Sequence, residues 1–405
     1  MKILVTGGSV HAKIDAVKFI TNRFKGGLMA KLAYDLVQLR KGVEVVYLCS
    51  DGSKKPPTST FTAPGWVIEG SLETVYHDGF HDYQQKVIEM APDFDAVVLG
   101  AAVANLIPVR YFKKYSEDEV TDITLYGTRT PAHPNSIKMP LRDKFPSHDY
   151  KPGDSIFMEW QIAPRIIDEV RSAMKPGAHL FGFKLLSGVP QDELTAAAYG
   201  IILESKATCV FANDTDDLDR IYAVMKDRSV HPMQRFDMSD LVLKLIQDEY
   251  FSTATGVKST ATLPVHERRD ALVAKYKKDF VEVEEGYIFG TVAVRAGTGP
   301  AFLTTERGKR ELDGKVYVTD VDFDHHYVYT GGGKATLNAP LLYRIFDLNP
   351  DVDTIVHCHK QQTDMPTYPY APPGTVRDAD RTGHTSFNIK NHGCFLLLNK
   401  EGKQL

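Results

Sequence analysis

The chain has 405 residues, 43% hydrophobic and 25% charged, the make-up of an ordinary globular protein long enough for two or three cores. A formal net charge of −4, from 48 Lys+Arg against 52 Asp+Glu, leaves no basic excess to hold a nucleic-acid backbone. No window approaches eighteen uninterrupted apolar residues, the N-terminus lacks a leader pattern, and Cys49, Cys209, Cys358 and Cys394 form no CxxC pair, so no membrane contact and a reducing, cytoplasmic setting are expected.

KILVTGG, residues 2 to 8, is a short apolar run stopped by two glycines. Leu28, Leu32, Leu36 and Leu39 then recur at helical spacing up to Gly42, and VEVVYLC supplies the next strand. Strand, loop, helix, strand is the unit of a parallel sheet with a right-handed crossover. DAVVLGAAVAN, residues 95 to 105, is another buried strand. Residues 106 to 154, rich in Pro, Thr and charge with a weak strand at DITLYG, look like an excursion serving as a lid or dimer arm. IAPRIIDEVRSAM, LFGFKLL, DELTAAAYGIILESKA and TCVFAND resume the alternation. These segments predict an open α/β domain over residues 1–250.

The Ser/Thr/Gly stretch at 252 to 264 marks a loop or boundary. Beyond it, over about 265–405, come a helix at HERRDALVAKYKKDF, four strands from YIFGTVAVRA to YVYTG, the helix APLLYRIFDLN, and the strands TIVHCH and GCFLLLN. They predict an α+β domain with its own core.

In the first half, Gly7 and Gly8 after the opening strand suit a phosphate loop, because backbone donors and a helix N-terminus meet an anion there. A tight turn is the alternative. Gly26 and Gly27, with Arg23 and Lys25 beside them, can add donors and charge. Ala102 in AAVAN is small enough to admit a planar ligand that Asn105 could fix; close packing with an Asn cap explains the same residues. Asn213 and Asp214 end a strand, either to orient an anionic intermediate or as an Asx turn.

The stretches VTGGSVHAKIDAVKFITNRFKGG, DAVVLGAAVANLIP, NSIKM, FGFKLL and VFAND make this half resemble the phosphopantothenate-cysteine ligase family. The resemblance implies a Rossmann-like fold and a homo-oligomer, usually a dimer. It also implies activation of a small carboxylate by CTP or ATP with Mg2+, followed by amine attack. On it Asn213 is similar to the asparagine that holds the acyl intermediate, and Lys113 and Lys114 to flap lysines over the phosphates. Gly7, Gly8, Asn22, Gly26, Ala102, Asn105 and Lys138 fall in the nucleotide and substrate segments. Asn105 and Leu106 stand where the family commonly has an aspartate and an aromatic residue.

In the second half, His357 and His359 share one face of a strand because strand side chains alternate. His392 in NHG offers a third imidazole, and three histidines with an open position suit Zn2+ or another divalent ion. Cys358 should face the other way, into the core. GTVAVR, FLTT, LLYRIFDLNPDVDTIVHCH and IKNHG make residues 286 to 399 resemble the class II aldolase and adducin domains. That resemblance implies a metal held by these three histidines and an aldolase, epimerase or related lyase acting on a phosphorylated or carboxylated small molecule. A noncatalytic interaction role is the other outcome known for such domains. Where that family has serines and a glutamate, this chain reads GGGKA, so Gly332, Gly333 and Lys334 become an anion-binding candidate. Glu306 and Asp320 are candidate substitutes for the missing carboxylate. His384 is a spare ligand; His77 and His81 with Glu73 share one helical face if that segment is helical. His325 and His326 read as exposed strand residues.

Overall fold

The computed structural model describes residues 1–57, 70–112, 136–154, 156–256, 262–282, 286–381 and 383–405. They form two compact units, Met1–Lys226 with Pro232–Ile246, and Asp227–His231 with Gln247–Leu405. Among the described residues no helix is long and apolar enough to cross a membrane.

The first unit is built in chain order from β1 (Lys2–Gly7), α1 (Gly27–Leu39), β2 (Glu44–Ser50), β3 (Ser71–His77), α2 (Phe80–Met90) and β4 (Ala96–Leu99). After β5 (Leu106–Phe112), β6 (Ser136–Lys138) and β7 (Phe157–Ile162) come α3 (Ile166–Ala173), β8 (His179–Leu186), α4 (Gln191–Ser205), β9 (Cys209–Asp214), β10 (Arg220–Met225), β11 (Val230–Gln234) and α5 (Met238–Gln247). The main sheet has the order β11-β10-β9-β8-β4-β1-β2-β3. It is parallel from β3 to β9 and antiparallel at β10. Ile3, Leu4, Val5, Val97, Val98, Leu180, Phe181, Val210 and Phe211 are wholly buried. Such continuous apolar runs are what a sheet covered on both faces requires.

Growth of the sheet changes direction between β1 and β4, and ligands of open α/β sheets bind at such a switch, outside the carboxyl ends of the strands. Within the expected excursion, β5 pairs antiparallel with β6 and β7. The DITLYG segment lies outside the described residues. Leu39, placed on the apolar stripe by spacing, is 56% exposed because it sits in the last turn of α1, while Met29, Leu32 and Leu36 carry the burial.

The second unit contains β12 (Ser252–Thr255), α6 (Leu263–Tyr276), β13 (Thr291–Arg295), β14 (Phe302–Thr305), β15 (Lys315–Asp322), β16 (Tyr327–Gly331), α7 (Ala339–Leu348), β17 (Thr354–Cys358), β18 (Thr367–Tyr368), β19 (Phe387–Ile389) and β20 (Gly393–Leu398). Its sheet runs β12-β16-β15-β14-β13-β17-β20-β19-β18. STAT, expected in a loop, is the edge strand β12, paired in parallel with β16. One core contains Leu341, Leu342, Ile345 and Phe346 of α7 against Ile355, Phe395 and Leu397. The other contains Val273 of α6 with Val356, Cys358 and Cys394. Ile355 and Val356 therefore point to opposite faces of β17, and this alternation aims His357.

Candidate functional sites

At the carboxyl end of β1, Gly8 has a left-handed backbone with φ 78°. A Cβ there would lie 1.8 Å from Ser53 Oγ, so glycine is needed for both conformation and space. Gly26, also at φ 78°, lets the segment before α1 close onto this loop, since its Cβ would fall 2.3 Å from the Gly8 nitrogen. Gly7 packs as tightly against Tyr47. The Ala102 N–H donates to Gly8 O at 2.8 Å and Asn22 Nδ2 to Val103 O at 3.0 Å. The structure therefore brings Gly7, Gly8, Asn22, Gly26 and Ala102 to one end of the sheet.

Beside them opens a cleft of about 720 Å³, lined by Ser9, Asn22, Arg23, Lys25, Ser50, Asp51 and residues at the end of β3, within the usual range for a small-ligand site. Two histidines line it: His77, expected on a helical face, and His11, which the sequence did not single out. His77, 4% exposed, has neither ring nitrogen hydrogen-bonded, and burial pulls its pKa down to about 4. His11 is lowered by burial as well, against the pull of Asp78. The shared helical face expected for Glu73, His77 and His81 does not exist: the first two are on β3, and His81 is exposed on α2.

Asn105 is exposed and lines a separate cleft of about 270 Å³ with Arg165 and Phe183. Lys138 is exposed on β6. Asn213 sits opposite Leu185 in the sheet and does not line the 720 Å³ cleft. Its neighbour Asp214 accepts from the Gly188, Val189 and Asp216 amides, and these bonds lower its pKa. Lys113 and Lys114 lie outside the described residues.

In the second unit His357, His359 and His392 each present a ring nitrogen within 4.8 Å of the others. β17 supplies His357, and His359 follows it directly past the strand end. His357 stacks on Phe395, opposite it in β20, at 4.3 Å. His392 follows Asn391, which is left-handed at φ 58°, a turn that asparagine tolerates. A Cβ on Gly393 would meet Cys358 O at 2.0 Å, so only glycine lets the turn bring His392 against the end of β17. Cys358 and Cys394 are register partners buried on the opposite face.

His357 Nδ1 lies 2.9 Å from Cys394 O. A carbonyl only accepts, so the proton is on Nδ1 and the Nε2 lone pair is left over, buried without a partner. His392 Nε2 is likewise buried without one. Burial drives the His357 pKa well below its ordinary value and that of His359 down to about 3. Three convergent imidazoles, with Nε2 of His357 and of His392 buried without a partner, fit a divalent ion such as zinc.

The carboxylate beside this trio was not legible in the sequence. Asp227 Oδ2 stands 2.9 Å from His392 Nδ1. It also accepts from Tyr370 Oη at 2.8 Å, while Oδ1 accepts from Ser229 N at 3.0 Å and Ser229 Oγ at 2.6 Å. Burial, the largest influence, pushes the Asp227 carboxyl up, but the neighbouring His392 and the Ser229 hydroxyl hold it below the ordinary range.

The other candidates lie elsewhere. Asp320 accepts from Tyr343 Oη, His325 contacts Asp322, His326 contacts Glu249 and His384 contacts Asn349. Glu306 bridges to Ala335 through the backbone. Gly332 and Gly333 have positive φ, Lys334 is exposed, and Lys334 O is taken by Arg307 N. A Cβ at Gly333 would lie 3.1 Å from Glu306 Oε1, a carboxylate that opposes an anion in this loop. Half-buried Lys309, brought to about 8 by burial and then Arg269, is a cation that acts on both His357 and His359.

Among known proteins, the chain is 24% identical over 212 residues to the coenzyme A biosynthesis bifunctional protein CoaBC of Thermococcus kodakarensis, covering 52% of this chain and 41% of that protein. It thus spans about two fifths of the curated relative it matches. The solved DNA/pantothenate metabolism flavoprotein of Streptococcus pneumoniae aligns at 23% identity and TM-score 0.47, over 61% of this chain and 98% of that one. An L-fuculose 1-phosphate aldolase structure aligns at 15% identity and TM-score 0.25, over 33% of this chain and 75% of that one. The family finding is confined to the first third of the chain, where residues 1–131 match the sequence model described as DFP, the DNA/pantothenate metabolism flavoprotein C-terminal domain.

Proposed function

We propose that the first unit is a nucleotide-dependent acid-amine ligase, acting on phosphopantothenate and cysteine or on divergent counterparts. The observation that supports it most is the coincidence of the DFP match over residues 1–131 with a cleft beside the glycine loop. In this reading the substrate carboxylate attacks the α-phosphorus of CTP or ATP and pyrophosphate leaves. The amine then attacks the acyl carbon, and the nucleoside monophosphate departs. Gly8 and Gly26 keep the backbone close to the phosphates, while Arg23 and Lys25 offset their charge. Mg2+ would accompany the nucleotide. Asn213, Lys113, Lys114 and Lys138 keep the roles implied by resemblance, in a homo-oligomer.

The test is pyrophosphate release by the purified chain supplied with Mg2+, phosphopantothenate, cysteine and either nucleotide. Release that requires all the organic substrates supports the reading. No release with either nucleotide, and no nucleotide binding, would refute it.

A second activity is favoured by the histidine trio: a divalent-metal lyase or epimerase in the second unit. The ion would be held by His357, His359 and His392, where it would polarise a substrate carbonyl. Lys309 would favour an anionic substrate. Retro-aldol turnover that rises with zinc and disappears in His359→Ala supports this activity; turnover indifferent to both contradicts it.

A further inference from the structure

The histidine trio comes from residues 357 to 392, whereas the carboxylate in contact with it comes from residue 227, in the turn between β10 and β11. The segment Asp227–His231, which is this turn and the first two residues of β11, belongs to the second unit, whereas β10 and the rest of β11 belong to the first. Asp227 is held on every side. Ser229 donates to Oδ1 through both its amide and its hydroxyl, and Tyr370 donates to Oδ2. His231 extends the network, with Nε2 2.9 Å from Ser229 Oγ and its ring 4.2 Å from that of Tyr370. The Asp227 side chain is only 11% exposed and that of His392 1%.

This arrangement does for His392 what Cys394 O does for His357. An acceptor at Nδ1 fixes the ring and keeps the proton on that nitrogen, so that Nε2 presents its lone pair to the trio. The Nδ1 to Oδ2 separation is 2.9 Å, yet the pair lies off the ideal N–H···O line. A small rotation of the imidazole toward a bound ion would bring the two into line.

We infer that Asp227 is the positioning carboxylate of a zinc-class site, orienting His392 through Nδ1 and itself fixed by Tyr370 and Ser229. This rests on the reading of the trio as a metal site. It also gives the 227–231 turn a purpose: the glutamate absent from GGGKA is not restored in that loop, and a carboxylate reaches the histidines from a distant part of the chain instead. Asp227→Asn is the informative change, because an amide nitrogen facing Nδ1 is a donor. His392 would then carry its proton on Nε2, the nitrogen that must meet the ion.

The experiment uses the full chain, purified without chelator. Zinc affinity is measured by competition with a chromophoric chelator and site geometry by the visible bands of the cobalt-substituted protein. Wild type should bind one zinc per chain and His357→Ala none. Asp227→Asn should retain one site with affinity lowered about 10- to 100-fold and with shifted cobalt bands. Tyr370→Phe, which keeps the ring packing, should weaken zinc binding less and shift the bands in the same direction; it decides the matter if Asp227→Asn fails to fold. Wild-type affinity and cobalt bands in the folded Asp227 variant, or in Tyr370→Phe where that variant is needed, would overturn the inference and leave the trio standing. No zinc uptake by wild type would remove both.

Discussion

His77 ends β3 as a neutral imidazole in a buried place, with His11, Asp82 and Lys86 as its charged or titratable neighbours. Its folded pKa of about 4 is below the unfolded value of 6.5. Stability from this group is therefore complete above pH 6.5 and is lost as the pH falls toward 4, because the unfolded chain takes up the proton first. At pH 5 the loss should be about 2 kcal/mol, at roughly 1.4 kcal/mol per unit. Urea unfolding at pH 7 and pH 5 should show His77→Phe losing less stability than wild type between the two. Equal losses would mean that the imidazole is already protonated or solvated in the fold. The buried position of His77 was hidden because the spacing of Glu73, His77 and His81 suggested a helical face, whereas His77 ends a strand and packs beside Tyr83 of α2, 5.1 Å away ring to ring. The trio was legible because His357 and His359 are spaced as strand residues of one face, although β17 ends at Cys358 and His359 follows it. Asp227 was not, since nothing local to MKDRS says which chain segment 165 residues later will meet it.

At the scale of elements, β13 and α7 are joined by Arg295. It is buried, with Nε donating to Val352 O, Nη1 to Gly299 O and Nη2 to both Phe346 O and Asn349 O. Two of these carbonyls belong to the end of α7 and the residue after it, where a helix has no partners of its own. Arg295→Lys loses the planar fork and should lower the stability of the second unit by about 3 kcal/mol, measured by denaturant unfolding; a change under about 0.5 kcal/mol would show that water replaces those contacts. The turn before β20 gives a second prediction. Gly393→Ala drives a Cβ into Cys358 O and the His359 Cα, so it should cost roughly 2–4 kcal/mol and weaken zinc binding along with stability. Retained zinc affinity would separate the turn from the trio. Most of these elements were recognisable from the chain, because β17 and β20 are dense in β-branched and large apolar residues and α7 carries a clear apolar stripe. The strand order was not, because which strands pair is decided by contacts far apart in sequence. STAT was taken for a loop because its small polar residues suit an exposed edge strand equally well.

At the scale of the molecule, each unit is proposed to hold one ligand: a nucleotide in the cleft at the end of β1 and a divalent ion at the trio beside β17 and β20. The two candidate sites could be proposed from the sequence because glycines after a first strand and an HCH motif each have a direct physical meaning. The unit boundary was harder to read, since 227–231 leaves the first unit and the chain then returns to it.

Native mass spectrometry of the chelator-free chain, titrated with zinc and with CTP or ATP, tests this assignment directly. Wild type should gain one ion and one nucleotide per chain. His357→Ala should lose the ion and keep the nucleotide; Gly8→Ala, with its Cβ forced onto Ser53, should lose the nucleotide and keep the ion. A wild type that binds neither ligand, or variants that both bind as wild type does, would contradict the account.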